Sequence, residues 1–553
     1  MTRSLPKTKT AAAARAAAPI ASDAAAAAVT TTVHSDAQTH NDDAHTPLRQ
    51  AWRWWLPPAA VALLFTLLFL DPFAGDWDAL DYTVSAVRGE PSSMLFGRML
   101  FIFMNHAAYR VAHALFGLQS NEAYLLFKYM VVCQTPFAVV ACWTLARELT
   151  ASHAAATVAA FMLALSPFFI VYSGQAMTET PSILLLSVAL VIHLRGMRGR
   201  KGWQVLLGAA LLGLCVNIRE PVGFFGVWLV LAPTCYGWTW KRHELFLTAA
   251  ACALFLTCAL APFALWWLAD VNNYRQHWYG WVASMRAESA VHPVSLRNLV
   301  PFFQLFFVAA PVTVALLPFA LRREWRERGW TPLLVLALVG LFVNLMLLAN
   351  YSVVINGRYQ LSGLPALVPV TAAYLLRRTT TRTRNMRRGL AYACALVATV
   401  ALLTGSIVYV FAARTLANHA LTKEYRARLA SLPPDAVVMA GGQTVSVNYY
   451  RGLGLGRWDT IGTGGGWPGE RLTYQIEWHL QQGHRIFVDI DPRLWSMDSW
   501  HEQETRALVR LPERFRFRHH AGTFYELRPP DDQTAHDDPN LRILLNKPKS
   551  RFR

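Results

Sequence analysis

Asp71-Pro-Phe-Ala-Gly-Asp76-Trp-Asp78-Ala-Leu-Asp81-Tyr82 follows directly on an apolar run from Trp54 to Leu70. The run reads as a first transmembrane helix, so Asp71, Asp76, Asp78 and Asp81 stand just outside the bilayer. Carboxylates are costly beside hydrocarbon, and a cluster of them there marks a candidate functional site. Asp76-Trp77-Asp78 is formally a D-x-D. On a helix, Asp78 and Tyr82 lie one turn apart on one face.

Composition agrees with a membrane setting. The chain has 553 residues, of which 54% are hydrophobic and 16% charged. Soluble chains carry about a quarter charged residues. The net charge of +18 falls largely in short loops between apolar runs and near the termini, which is a topology signal and does not point to nucleic acid. The seven cysteines lie in or beside apolar stretches without a Cys-x-x-Cys, so neither a zinc site nor a disulfide framework is expected.

Eleven apolar runs approach the ~20 residues needed to cross hydrocarbon: about 54–70, 124–145, 154–172, 180–194, 203–218, 222–239, 245–268, 301–321, 331–349, 362–376 and 389–411. With the N-terminus cytoplasmic, the cytoplasmic loops become Arg147–His153, Arg195–Lys201, Lys241–Glu244, Arg322–Arg328 and Arg377–Arg388, which are the basic ones. The acidic loop and the C-terminal region then share the other side. Met94 to Leu115 is amphipathic, and Arg98, His106, Arg110 and His113 favour a helix lying in the interface. The expected organisation is a disordered tail (1–50), a transmembrane domain (51–412), an extracytoplasmic α/β domain (413–528) and a second disordered tail (529–553). In the α/β domain, strands are expected at Ala436–Ala440 and from Arg485, a helix at Leu472–Gln482, and a hairpin around Ala521-Gly522. The glycine runs at 452–456 and 462–466 lack G-x-G-x-x-G spacing and give no nucleotide site.

Further charged residues sit at the outer ends of spans. Glu179 opens the fourth helix with Pro181 in its first turn, where both a carboxylate and a proline are favoured. Arg219 and Glu220 join the fifth and sixth spans, as a mutual ion pair or as a phosphate contact. The loop 269–300 is aromatic and basic, and Arg275 and His277 are candidate phosphate contacts beside an interfacial tryptophan belt. Arg358-Tyr359 opens the tenth span. Asp76 and Asp78 are also possible ligands for Mg²⁺ or Mn²⁺, which take oxygen donors.

This ordered set resembles the C-type superfamily of membrane glycosyltransferases, in particular its protein-mannosyl and lipid-A-aminoarabinosyl branches, over residues 54–411. Those enzymes carry a modified D-x-D, often Asp-Glu-x-x-Tyr, in the first outer loop. Here Asp78-x-x-x-Tyr82 keeps the Asp-to-Tyr spacing, with Ala79 where Glu is usual. The resemblance implies interfacial helices in the first loop, a polyprenyl-phosphate sugar donor, and a lipid, glycan or protein acceptor. Asp76 or Asp78 would be the general base, with Tyr82 beside it. Glu179 would orient the acceptor or base, and Arg358-Tyr359, with Arg219, would face the lipid phosphate. It places the protein in a bacterial inner membrane. The rival expectation is a transporter or flippase, which would carry midplane charges and repeated broken helices, or a noncatalytic member of the same fold.

Overall fold

Prolines and glycines decide how the apolar runs become helices. The computed structural model describes residues 48–93, 95–238, 241–291, 299–346, 357–380, 386–461, 469–495 and 502–532. Most of the two expected tails and the glycine run at 462–466 lie outside them.

Each of the eleven expected runs coincides with helix among the described residues. Five helices, or helices with a leading turn, are long and apolar enough to cross a membrane: Ala51–Leu68, Ser120–Thr150, Glu179–Gly199, Arg242–Ala269 and Thr399–Leu429. Two expected spans are broken. His153–Ala164 meets Pro167–Ser173 at 65°, and Leu299–Ala309 meets Pro311–Arg328 at 103°. Pro167 and Pro311 have no N–H for the preceding turn, so each ends one helix and starts the next. Gly202–Val216, Glu220–Cys235, Pro332–Met346 and Leu364–Arg377 are shorter apolar helices.

The charges sort to opposite ends. The helix Glu179–Gly199 begins at Glu179 and carries Arg195 and Arg198 at its far end, where both pair with Glu148 at 2.8 Å. At the ends of neighbouring helices Arg200 pairs with Glu244, and Arg377 with Glu324. The loops expected to be cytoplasmic are thus joined by ion pairs in two sets, 147–153 with 195–201 and 241–244, and 322–328 with 377–388.

After the first helix, Asp76 caps the helix Trp77–Arg88. The helix Met99–Phe116 follows. Together they are the two helices of the loop expected to be the first outer one, and neither is among the helices long and apolar enough to span. Arg98, expected on the polar face of an interface-lying helix, is instead buried at the start of the second one, only 1% exposed.

The last apolar run does not stop at residue 412. The helix Met386–Leu429 continues for 44 residues into a five-stranded sheet: β1 (Val437–Met439), β2 (Asp459–Thr460), β3 (Ile486–Asp489), β4 (Arg516–Ala521) and β5 (Phe524–Arg528), in the order β2-β1-β3-β5-β4. β1 is parallel to β2 and β3, while β4 and β5 form the expected hairpin beside β3. Arg428 and Tyr425, at the end of the long helix, bond to the buried carboxylate of Asp489 on β3 at 2.8 and 2.9 Å. Helix Thr444–Gly452 packs on Trp77–Arg88, with Tyr449 edge-on to Phe73 at 5.4 Å. Phe73, Leu80, Tyr82, Tyr425, Val447 and Phe487 belong to one core, so the sheet region and the first outer loop fold on each other.

Close helix approach also depends on small residues. A Cβ on Gly213 would stand 2.3 Å from the Phe255 carbonyl oxygen of Arg242–Ala269, and small residues let membrane helices touch backbone to backbone. Gly213→Val is therefore expected to push these two helices apart. The expected cost is about 1–3 kcal/mol, read as a lower midpoint in thermal unfolding of the detergent-purified protein.

Candidate active site

The site is built at the ends of four helices and on one short 3₁₀ segment, Gly357–Ser362. That segment carries Arg358, whose side chain is 6% exposed. One Nη donates to Asp78 Oδ2. The other lies 3.5 Å from Asp76 Oδ2, and Nε lies 3.6 Å from Glu179 Oε1. Asp76 and Asp78 are 31% and 35% exposed, so two accessible carboxylates stand in front of a buried cation.

Behind this group is a second ion pair. Arg219 Nη1 donates to Glu179 Oε1 at 2.6 Å and to Thr178 Oγ1 at 3.1 Å. Its Nε reaches Ser362 Oγ at 3.3 Å. The Tyr359 ring lies 4.9 Å from the Arg219 guanidinium and 5.3 Å from that of Arg358. One ring thus offers its electron-rich face to two like charges, a favourable contact that softens their repulsion. Among the described residues, Glu179 Oε2 and Arg219 Nη2 are buried without a partner. Arg219 therefore has a spare donor.

Arg98 completes the set. Its Nε donates to Tyr82 Oη at 2.8 Å, and its Nη atoms hold the Glu220 carboxylate. Tyr82 in turn donates to Asp78 Oδ2 at 3.3 Å, which realises the one-turn spacing of the sequence. Arg219 and Glu220 do not pair with each other. Adjacent residues at a helix break point apart, so Arg219 takes Glu179 and Glu220 takes Arg98.

The structure therefore brings Asp76, Asp78, Tyr82, Glu179, Arg219, Glu220, Arg358 and Tyr359 together. It does not draw in Arg275 and His277. Both are exposed on the helix Tyr274–Val291, and Arg275 folds back onto the carbonyls of Trp267 and Leu268. Arg98 was missed because its helix reads as a polar-faced interfacial one. Gln175 was missed because glutamine in an outer loop carries no signal. It is buried, and its Oε1 accepts the Asp76 N–H at 3.1 Å.

Burial works to raise the Asp78 carboxyl, but Arg358, with Arg98 and Arg219 behind it, outweighs burial and holds it below the usual carboxylate range. Asp81, one turn along, pairs with no arginine among the described residues. Burial pushes it up to about 6, opposed by its bonds from Ser93. Among the described residues, no group of three or more His, Cys, Asp or Glu side chains is placed to hold a metal ion. Asp76 and Asp78 direct their charge at Arg358.

The resemblance read from these loops, to the C-type membrane glycosyltransferases, agrees with what the chain is similar to. Residues 103–267 match the dolichyl-phosphate-mannose-protein mannosyltransferase family model. The whole fold is similar to ArnT from Cupriavidus metallidurans, solved bound to undecaprenyl phosphate, at TM-score 0.53 and 14% identity, covering 88% of this chain and 100% of that one. It is also similar to the oligosaccharyltransferase AglB from Archaeoglobus fulgidus, solved with an inhibitory peptide and a dolichol-phosphate. There the TM-score is 0.50 and the identity 13%, covering 87% of this chain and 74% of that one. No curated protein matches the sequence.

Removing one partner from a buried ion pair leaves an uncompensated charge and costs about 3–5 kcal/mol, whereas replacing both with apolar groups is often neutral. Glu179→Leu is expected to lower stability on that scale, and Glu179→Leu with Arg219→Met to recover most of the loss, by thermal unfolding. Asp81 gives a pH signature. Its folded pKa is raised, so its favourable contribution is full below pH about 4 and is lost as pH rises through about 6. Asp81→Asn should therefore gain in melting temperature relative to the parent protein between those values and then level off.

Proposed function

We propose that this chain transfers a sugar from a polyprenyl-phosphate donor to an acceptor hydroxyl on the extracytoplasmic side of a bacterial inner membrane, with inversion at the anomeric carbon. The observation that carries this reading is the pairing of two accessible carboxylates, Asp76 and Asp78, with the buried Arg358 at the outer helix ends. A base for a hydroxyl and a cation for a leaving phosphate are the two groups that the reaction requires. The relatives solved with undecaprenyl phosphate and dolichol-phosphate supply the donor class. The segregation of the arginine-rich loops to the opposite end supports the orientation, with all eleven helical runs as spans.

Asp78 is the favoured base. One carboxylate oxygen of Asp76 caps its own helix at the Trp77 N–H, 2.7 Å away. Asp78 Oδ1 has no hydrogen-bond partner among the described residues. A donor phosphate beside Arg358 and the spare Nη2 of Arg219 would take up positive charge that now holds Asp78 acidic. Asp78 then becomes a stronger base as the donor arrives. It removes the acceptor proton as the hydroxyl oxygen attacks the anomeric carbon. The bond from that carbon to the phosphate oxygen breaks, and its electron pair leaves as polyprenyl phosphate. Arg358 stabilises the charge that develops there. Glu179 fixes Arg219 and Arg358, and no step is routed through a metal.

The test is transfer by the lipid-reconstituted protein from a pool of polyprenyl-phosphate sugars to extracted envelope lipids, glycans and proteins, read by mass spectrometry with and without a chelator. Asp78→Asn is expected to lose about 10²–10⁴-fold and Arg358→Lys about 10²–10³-fold. Asp76→Asn should lose less than either. Chelator should change nothing. Equal activity in all variants overturns the site. No transfer by the parent protein, with undecaprenyl phosphate still binding, moves the reading to a flippase or a noncatalytic relative.

A further inference from the structure

The loop that carries Asp76 and Asp78 is held from outside the site. Gln175 is 1% exposed. Its Oε1 accepts the Asp76 N–H at 3.1 Å, and its Nε2 donates to Asp71 Oδ2 at 3.4 Å. The backbone beside it adds a bond from Ala176 N–H to the Ala74 carbonyl, 2.8 Å long. Gly75 crosses Gln175 at φ +131°, where a Cβ would stand 2.7 Å from Gln175 Cβ. The turn is thus drawn flat onto this one side chain.

Asp71 is fixed in its turn. Its Oδ1 accepts the Phe73 N–H at 2.8 Å, and Lys128 Nζ donates to its carbonyl at 2.8 Å. Its Oδ2 accepts from Nδ1 of His419, which is buried on the long helix Met386–Leu429. A carboxylate has only lone pairs to offer, so the imidazole is the donor. His419, Asp71, Gln175 and the Asp76 amide form one continuous chain of hydrogen bonds. Asp71 itself touches neither Arg358 nor Asp78.

We propose that Gln175 and His419 are positioning residues. Through Asp71 they set the height and pitch of the turn at 71–76, and so the place of Asp76 and Asp78 in front of Arg358. The kinetic consequence rests on the transferase reading of the site, while the positioning itself does not. Because a displacement of about 1 Å at a reacting group can cost about a hundredfold in rate, side chains that never meet substrate can control turnover here.

The experiment uses the full-length protein in lipid and four variants. Gln175→Met keeps the shape and removes both bonds. His419→Leu removes the donor, and His419→Asn restores a donor near the place of Nδ1. Gln175→Glu keeps the acceptor for Asp76 and sets a carboxylate against Asp71. Amide hydrogen exchange over residues 71–78 is the primary readout. Exchange there should rise in Gln175→Met, Gln175→Glu and His419→Leu, with exchange in the transmembrane helices unchanged, and should return to the parent level in His419→Asn. With whichever donor proves active, kcat should fall by about ten- to a hundredfold in the three impaired variants, while the Kd for undecaprenyl phosphate stays within about twofold, a rate loss without a binding loss. Unchanged exchange at 71–78 overturns the proposal. So does a general rise in exchange with no rescue by His419→Asn, which would mark both residues as merely structural. A local, rescued exchange change in a protein that transfers no sugar would leave the positioning in place and refute the transferase reading instead.

Discussion

The interaction on which the rest depends is the Arg358 guanidinium buried among Asp76, Asp78 and Glu179. A guanidinium cannot shed its proton inside a protein, so it must be given anions or stay in water. Its three partners, Asp76, Asp78 and Glu179, come from two separate segments of the chain, and none is adjacent to it in sequence. The helix Leu364–Thr380 is preceded by a 3₁₀ turn that reaches inward to meet them. Arg98, Arg219 and Arg358 face Asp76, Asp78, Glu179 and Glu220, so three cations are matched by four carboxylates. The surplus anion stands at the exposed end, where water can solvate it.

Much of this was legible in the sequence because it obeys one-dimensional rules. The acid loop after the first apolar run, the helix-opening Glu179, the Arg358-Tyr359 pair and the sorting of arginines to alternate loops are each visible in a few consecutive residues. So were the hairpin at Ala521-Gly522 and the first strand at 437–439. The breaks at Ser166-Pro167 and Ala310-Pro311 were visible as residues but not as bends, since an apolar run containing proline can kink or continue. Partner choice was not legible. Arg219-Glu220 looks like an ion pair on paper, but adjacent side chains at a helix break diverge. Arg98 reads as a solvated residue of an amphipathic segment, and its burial follows from Glu220 arriving from more than a hundred residues away. Arg275 and His277 show the converse: a basic aromatic loop has the right chemistry and stays outside the cluster.

The sheet region is equally bound up with the site. The long helix passes residue 412 without interruption, delivers His419 to Asp71, and then inserts Tyr425 and Arg428 against Asp489. Helix Thr444–Gly452 packs on Trp77–Arg88, so the helix that presents Asp78 has the Arg358 cluster on one side and the C-terminal core on the other. This arrangement stiffens a loop that would otherwise be free to move, since connecting segments ordinarily lie exposed on the surface.

The bond between Asp71 and His419 joins residues 348 positions apart. A ribosome makes about 5–20 residues each second, so the first outer loop waits many seconds after leaving the membrane before its last supports exist. Throughout synthesis the buried faces of Phe73, Leu80 and Tyr82 have no Val447 or Tyr449 to rest on. Asp71 then lacks His419, and a half-made chain lacks the Arg358 that Asp76 and Asp78 face. The first loop therefore gains its last supports only once the sheet region has been made, and truncation before the sheet would leave a loop encoded near the beginning without them.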